Sequence, residues 1–276
     1  MPRLTAMLGL LKFSALSLCL SYTVAFADSD HFSLDDVVQF DVLPGWRTET
    51  GTHVAALRVR LAPGWKTYWR APGETSVPPR FDWSGSRNLA SVDLHWPVPE
   101  VFFLNGLRSV GYSDELVLPI ELTPHSQGKR VALRSEVALG VCKDICMPVN
   151  ARISADLSGR GNRDPRIDAA LESRPLTAGE AGLKTIACEV EPISDGLRLT
   201  ADIDMPEIGS HEVVVFELPD RSVWVADAST LRTGNRLTAV TELVPPSGKP
   251  FLLDRSSIRV TVLSGERAVD IDGCAG

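Results

Sequence analysis

Apolar and polar residues alternate with a period of two in many short runs of this chain. That spacing buries one face of a β-strand and leaves the other in water. In the first half such runs occupy residues 54–61, 89–96, 116–122, 131–141 and 149–157. In the second half they occupy 197–203, 212–218, 237–243 and 258–263. Pro and Gly punctuate the intervals, and helical periodicity is scarce. Short strands at this spacing predict β-sandwiches. Between the halves, residues 158–164 are polar and carry Gly159 and Gly161. Asp164 followed by Pro165 then reads as a helix N-cap with proline at the first helical position. The spacing predicts a short helix over 167–172, ended before Pro175. The predicted organisation is all-β: a sandwich over 28–158, a linker with a short helix over 159–184, and a second sandwich over 185–276. No internal repeat is clear.

The first 27 residues stand apart and read as a signal peptide. Arg3 and Lys12 are basic, an apolar stretch containing Phe13, Leu16, Leu18 and Leu20 follows, and Ala25-Phe26-Ala27 offers an A-x-A exit. Cleavage after Ala27 is expected, with export to an oxidising compartment where disulfides persist. No other stretch approaches the roughly 20 apolar residues of a membrane span. Cleavage would remove two positive charges and no acid, so the formal charge would go from −7 to −9. An acidic surface argues against nucleic acid or an anionic membrane as the main partner.

Cleavage would also remove Cys19 and leave Cys142, Cys146, Cys188 and Cys274. Four cysteines allow three pairings, and nearest neighbours make the simplest one. Cys142 and Cys146 flank Lys143-Asp144-Ile145 between two alternating runs. Residues four apart on one extended strand lie about 13 Å apart, beyond the roughly 7 Å limit of a disulfide. A hairpin turn would bring the two together. Closing so short a loop is worth only about 2 kcal/mol in the chain-entropy model, against about 4.6 kcal/mol for Cys188 with Cys274. Stability therefore explains the second pair well and the first poorly. Three readings of Cys142 and Cys146 stay open on the residues alone: a hairpin staple, an exchange-active pair, or a soft Cu(I) site completed by Met147.

Other chemistry has little support. The five histidines are scattered, and there is no H-E-x-x-H, G-x-S-x-G or phosphate-loop motif. No metal site and no cofactor are expected. Aromatic residues crowd the first half, mostly as core. Residues 99–106, with adjacent Phe102 and Phe103 between Pro99 and Asn105-Gly106, suit a loop that presents an aromatic ring. Residues 71–79 read as a Pro-rich surface loop.

Several stretches, taken in order, resemble the N-terminal periplasmic domain of the thiol:disulfide interchange protein DsbD, and more closely its ScsB-type relatives. They are Pro63-Gly64-Trp65-Lys66-Thr67-Tyr68-Trp69-Arg70, Pro78-Pro79-Arg80-Phe81-Asp82-Trp83, Leu94-His95-Trp96-Pro97-Val98-Pro99, Gly111-Tyr112-Ser113-Asp114-Glu115-Leu116-Val117-Leu118-Pro119 and Val141-Cys142-Lys143-Asp144-Ile145-Cys146-Met147-Pro148. The resemblance covers residues 40–158 well and the second half weakly.

It implies an immunoglobulin-like sandwich with a redox-active pair at Cys142 and Cys146. It also implies an aromatic cap around Phe102 and Phe103, a tyrosine beside the pair at Tyr68, an acidic cap position near Glu100, and a periplasmic location. Cys188 and Cys274 are left as a structural disulfide. The expected activity is exchange of reducing equivalents with a thioredoxin-like protein or a membrane thiol transporter domain. The cysteine spacing is tighter than in the DsbD domain, and the chain carries no Cys-x-x-Cys, so a separate donor is implied. A non-catalytic binding module with two structural disulfides and a copper-handling protein are the rival readings.

Overall fold

The structure, a computed structural model, describes residues 33–74, 76–104 and 107–274. The expected signal peptide, with its cleavage site and Cys19, lies outside them. The first half contributes ten strands: β1 (Val38–Arg47), β2 (His53–Leu61), β3 (Lys66–Tyr68), β4 (Arg80–Asp82), β5 (Ser91–Leu94), β6 (Glu100–Leu104), β7 (Leu107–Ser113), β8 (Glu115–Thr123), β9 (Val131–Cys142) and β10 (Cys146–Leu157). They form two sheets, one in the order β1-β2-β8-β5 and one in the order β10-β9-β3-β7-β6, with β4 also paired to β9. Leu57, Val59, Leu118, Ile120 and Leu122 face Val110, Leu133, Val137, Leu139 and Val141 in a core that holds Trp69 fully buried. The alternation read from sequence produces this packing, because every second residue of a strand points to the same face.

One helix follows, α1 (Pro165–Glu172), with the Asp164 side chain accepting the Arg166 N–H at its start. It places Ile167 against Leu43, Val54 and Ala56 on the outer face of the first sheet. The helix thus covers β1 and β2, which explains why β2 is buried on both faces along most of its length.

The second half adds β11 (Leu176–Thr177), β12 (Thr185–Pro192), β13 (Leu197–Asp204), β14 (Val213–Glu217), β15 (Trp224–Val225), β16 (Ser229–Thr233), β17 (Arg236–Val244), β18 (Arg259–Ser264) and β19 (Arg267–Asp272). The sheets run β11-β19-β18-β14 and β12-β13-β17-β15, with β16 also on β17. They enclose a second core around Leu199, Ile203, Met205, Val260 and Val262. Strand β11 falls inside the stretch expected as linker, yet pairs in parallel with β19.

The two halves belong to one compact unit. Val213, Leu263 and Ala268 of the second half pack into the first core cluster. Beside them Arg70, stacked over Trp69 at 4.2 Å, reaches Glu217 at 2.9 Å and Asp270 at 3.1 Å. Arg108 reaches Asp227 at 2.9 Å. The architecture is an all-β sandwich fold of four sheets with one α-helix among the described residues. Among the described residues no helix is long and apolar enough to cross a membrane.

Candidate active site at the Cys142–Cys146 hairpin

β9 and β10 form a hairpin whose last registered pair is Cys142 with Cys146. The chain turns through Lys143-Asp144-Ile145, with the Lys143 N–H donating to the Ile145 carbonyl at 3.0 Å. The two cysteines are disulfide-bonded, with Cα atoms 4.1 Å apart. That is the spacing of a close cross-strand pair, which a straight strand cannot provide. Cys142 is 8 % exposed, whereas Cys146 is exposed and next to Ile145 at 61 %.

Register fixes which side chains share the disulfide's face. Cys142 pairs with Lys66 on β3, and Lys66 pairs with Ser113 on β7. Two residues along, Tyr68 pairs with Gly111, which pairs in turn with Glu100 on β6. Phe102 pairs with Ser109, two positions beyond Gly111. Cys142, Cys146, Lys66, Tyr68, Glu100 and Phe102 therefore lie on one sheet face. Phe103 pairs with Arg108 and lies on the other.

Tyr68 contacts both sulfurs. Its hydroxyl is 2.7 Å from Cys142 Sγ and 3.3 Å from Cys146 Sγ. Disulfide sulfurs carry no proton, so the hydroxyl is the donor. Thr67, on the opposite face, donates to the Gly140 carbonyl at 2.9 Å and holds β3 against β9. The Lys66 ammonium lies 4.0 Å from the centroid of the Phe102 ring. Glu100 Oε1 accepts from the Ser113 N–H at 3.2 Å and from its hydroxyl at 2.7 Å. Its carboxylate is thus engaged on β7. Lys143 Nζ is directed to the Pro63 carbonyl at 3.4 Å. Tyr112 points inward and donates to the Pro97 carbonyl at 2.8 Å. Burial pushes its phenol well above the usual range, so it stays neutral and structural.

The aromatic segment differs from its expectation. Residues 100–104 were predicted as loop but form β6, paired to β7 over five residues. Ladder bonds on that side outweigh the turn signals of Pro99 and Asn105-Gly106, which only bound the strand. The adjacent phenylalanines consequently point to opposite faces, and Phe103 is 68 % exposed.

Met147 is also on the wrong face for a shared site with the two sulfurs. It pairs with fully buried Val141 and packs against the first core. Among the described residues no cluster of three or more His, Cys, Asp or Glu is arranged to hold a metal. A groove of about 380 Å³ between Arg70–Glu74 and β14 does not include either cysteine. Cys146 instead stands exposed at the end of the hairpin, which suits contact with another macromolecule, while Cys142 beside it is buried.

Cys188 and Cys274 form a disulfide of different character. Their Cα atoms are 5.6 Å apart, they are 86 residues apart in sequence, and they are 3 % and 5 % exposed inside the second core. No thiol from solvent reaches that bond without opening the core.

Sequence reading missed Lys66 and Gly140. A glycine inside an otherwise alternating strand signals close approach of another group, and Gly140 carried that signal.

Fold and site together define a class: an all-β sandwich protein with a hairpin disulfide half-open to solvent. Residues 33–158 match the family described as thiol:disulfide interchange protein DsbD, N-terminal. The crystal structure of the N-terminal periplasmic domain of ScsB from Proteus mirabilis has the same fold. It aligns with a TM-score of 0.70 at 22 % identity, over 89 % of this chain and 96 % of that one. No curated protein matches the chain.

Proposed function

We propose that this protein is a periplasmic thiol–disulfide exchange protein that relays reducing equivalents through Cys142 and Cys146. The carrying observation is the asymmetry of the pair: Cys146 is open to solvent, while Cys142 is buried under the Tyr68 hydroxyl at 2.7 Å. An incoming thiolate bonds to Cys146 Sγ. The disulfide breaks, and its electron pair leaves on Cys142 Sγ, stabilised there by the phenolic proton. A second thiol of the donor then attacks the mixed disulfide and frees Cys146. The donor dithiol becomes a disulfide, and this protein gains two electrons and two protons. Passing them to an oxidised envelope protein is the same sequence in reverse.

The match of residues 33–158 to a thiol:disulfide interchange family supports the chemistry. Similarity to a periplasmic domain supports the location, with residues 1–27 as a cleaved signal peptide. The donor is a thioredoxin-like protein or the exposed domain of a membrane thiol transporter. We read the two sheet pairs as immunoglobulin-like domains, the first carrying the exchange site, with α1 between them. Phe102 is the cap residue, Tyr68 and Glu100 complete the pocket, and Cys188–Cys274 is structural.

Single-cysteine trapping tests this reading. Cys142→Ser leaves the exposed Cys146 and is expected to trap a mixed disulfide with a thioredoxin-like protein from periplasm, seen on non-reducing gels. Cys146→Ser leaves the shielded thiol and is expected to trap far less. Mild reductant should open only the first disulfide of the wild-type chain. Absence of any adduct with folded Cys142→Ser protein, or equal resistance of both disulfides, would leave the structural-staple reading in its place. A Cu(I)-dependent spectral change abolished by Met147→Leu would favour copper handling instead.

A further inference from the structure

We propose that Lys66 is the cation that stabilises the Cys142 thiolate, and that Phe102 holds its ammonium in reserve while the disulfide is intact. Among the described residues Lys66 has no carboxylate partner within ion-pair distance. Its ammonium lies against the Phe102 ring, 4.0 Å from the centroid. The nearest acid on the same face, Glu100, is already held by the Ser113 backbone N–H and hydroxyl. A half-buried ammonium resting on an aromatic face gains from the ring quadrupole, but less than it would from a full negative charge.

Such a charge appears when exchange begins. Lys66 is the registered cross-strand partner of Cys142 on the same face. Directly opposed residues have Cβ atoms about 5 Å apart, well within the sweep of a lysine stem. When a thiolate bonds to Cys146 Sγ, the electron pair of the broken disulfide stays on Cys142 Sγ. The ammonium then swings from the ring toward that anion. No proton has to move, since Lys66 is cationic before and after and Tyr68 keeps its proton. A better-stabilised leaving thiolate departs faster. Releasing Lys66 also frees Phe102, so arrival of electrons loosens the ring that the cation had pinned.

The other charged or titratable groups near the pair do not supply this charge. Tyr68 donates a hydrogen bond without a formal charge. Asp144 in the turn is an acid. The Lys143 ammonium is directed to the Pro63 carbonyl, and its stem runs beside Gly64, where an added Cβ would stand 3.2 Å from Lys143 Cε. The choice of Cys142 as leaving sulfur rests on the exchange reading above, but the charge effect on its thiol does not.

The test is the pH titration of the Cys142 thiol in Cys146→Ser protein, followed by thiolate absorbance and by the rate of alkylation. Lys66→Met is expected to raise the apparent thiol pKa by about one unit, with roughly tenfold less thiolate at pH values below both. Lys66→Arg is expected to restore most of it, and Lys143→Met to change it little. A merely structural lysine would alter the melting temperature without moving the titration. Because Lys66→Met could disturb packing, Lys66→Gln is run alongside, and only variants with native circular dichroism are compared. Identical titrations for Lys66, Met and Gln, or a shift on Lys143→Met alone, overturn the proposal. Normal Lys66 dependence without any trapped redox partner would instead count against the exchange function and leave this inference standing.

Discussion

The ring of Tyr68 occupies the space that a side chain at Gly140 would fill. A Cβ at Gly140 would stand 2.9 Å from Tyr68 Cε2 and 3.0 Å from Cδ2. The two residues sit side by side on β3 and β9, one position along from the registered Thr67 and Val141 pair. Lying across the bare backbone is what carries the hydroxyl to within 2.7 Å of Cys142 Sγ. A single missing methyl group thereby sets the hydrogen bond at the sulfur.

That relationship gives a paired expectation. Gly140→Ala forces the ring outward, and overpacking of this kind costs about 1–3 kcal/mol. Tyr68→Phe keeps the ring and removes only the donor. It should cost about 1 kcal/mol of stability and slow reduction by dithiothreitol roughly tenfold, since a hydrogen bond to a charged group is worth about 1.5–3 kcal/mol. Gly140→Ala should slow reduction too, while Gly179→Ala, where nothing lies within 4 Å, should not. Denaturant melts and stopped-flow reduction of the four proteins decide it. Unchanged reduction in Tyr68→Phe would remove Tyr68 from the chemistry.

The opposite faces of Phe102 and Phe103 separate two roles that the sequence joined. Phe102 shares the disulfide's face and contacts Lys66. Phe103 is on the far face and largely exposed. Phe102→Ala is expected to speed reduction by a small thiol several-fold, because exchange depends on access to sulfur. Phe103→Ala is expected to leave both the reduction rate and the melting temperature nearly unchanged, as surface substitutions usually do. Rates measured well below the melting point check this. Equal acceleration in both variants would mean that the hairpin as a whole shields the sulfurs.

The runs that alternate most clearly became the long central strands. Residues 54–61 and 131–141 lie within β2 and β9, and 197–203 and 237–243 lie within β13 and β17. The helix begins where Asp164 and Pro165 signalled it. The hairpin at Cys142 was legible because two alternating runs met at a polar tip. Short or edge strands were not legible. β3, β4, β11 and β15 span two or three residues, too few to show a period, and they exist because neighbouring strands supply partners. β6 was hidden by the turn residues at its ends. In the site, the cysteines carried their own signal. Lys66 did not, because its position opposite Cys142 depends on a strand register between residues 76 apart, and hydrophobic pattern alone does not fix which strands meet.

Arg70 is the most heavily bonded contact between the two halves, and its removal should be felt globally. Its side chain is 10 % exposed and faces Glu217 and Asp270, which are 17 % and 27 % exposed. Its Nη2 also approaches the Thr261 hydroxyl at 3.4 Å. The desolvation cost of these three charges is met only while all are present. Arg70→Met keeps much of the apolar stem over Trp69 but leaves the two carboxylates without the cation they share. Breaking a buried ion pair costs about 3–5 kcal/mol; partial exposure of both acids puts the expectation at about 3 kcal/mol or below. The loss should be recovered largely by adding Glu217→Gln and Asp270→Asn, which remove the stranded charge. Reduction of the Cys142–Cys146 bond, measured far below the melting point, should stay at the wild-type rate, because Tyr68 is held from β7 and β9. Urea melts of the single and triple variants provide the check. A loss under about 0.5 kcal/mol for Arg70→Met would show that solvent screens the network, leaving the apolar contacts of Val213, Leu263 and Ala268 to hold the halves together.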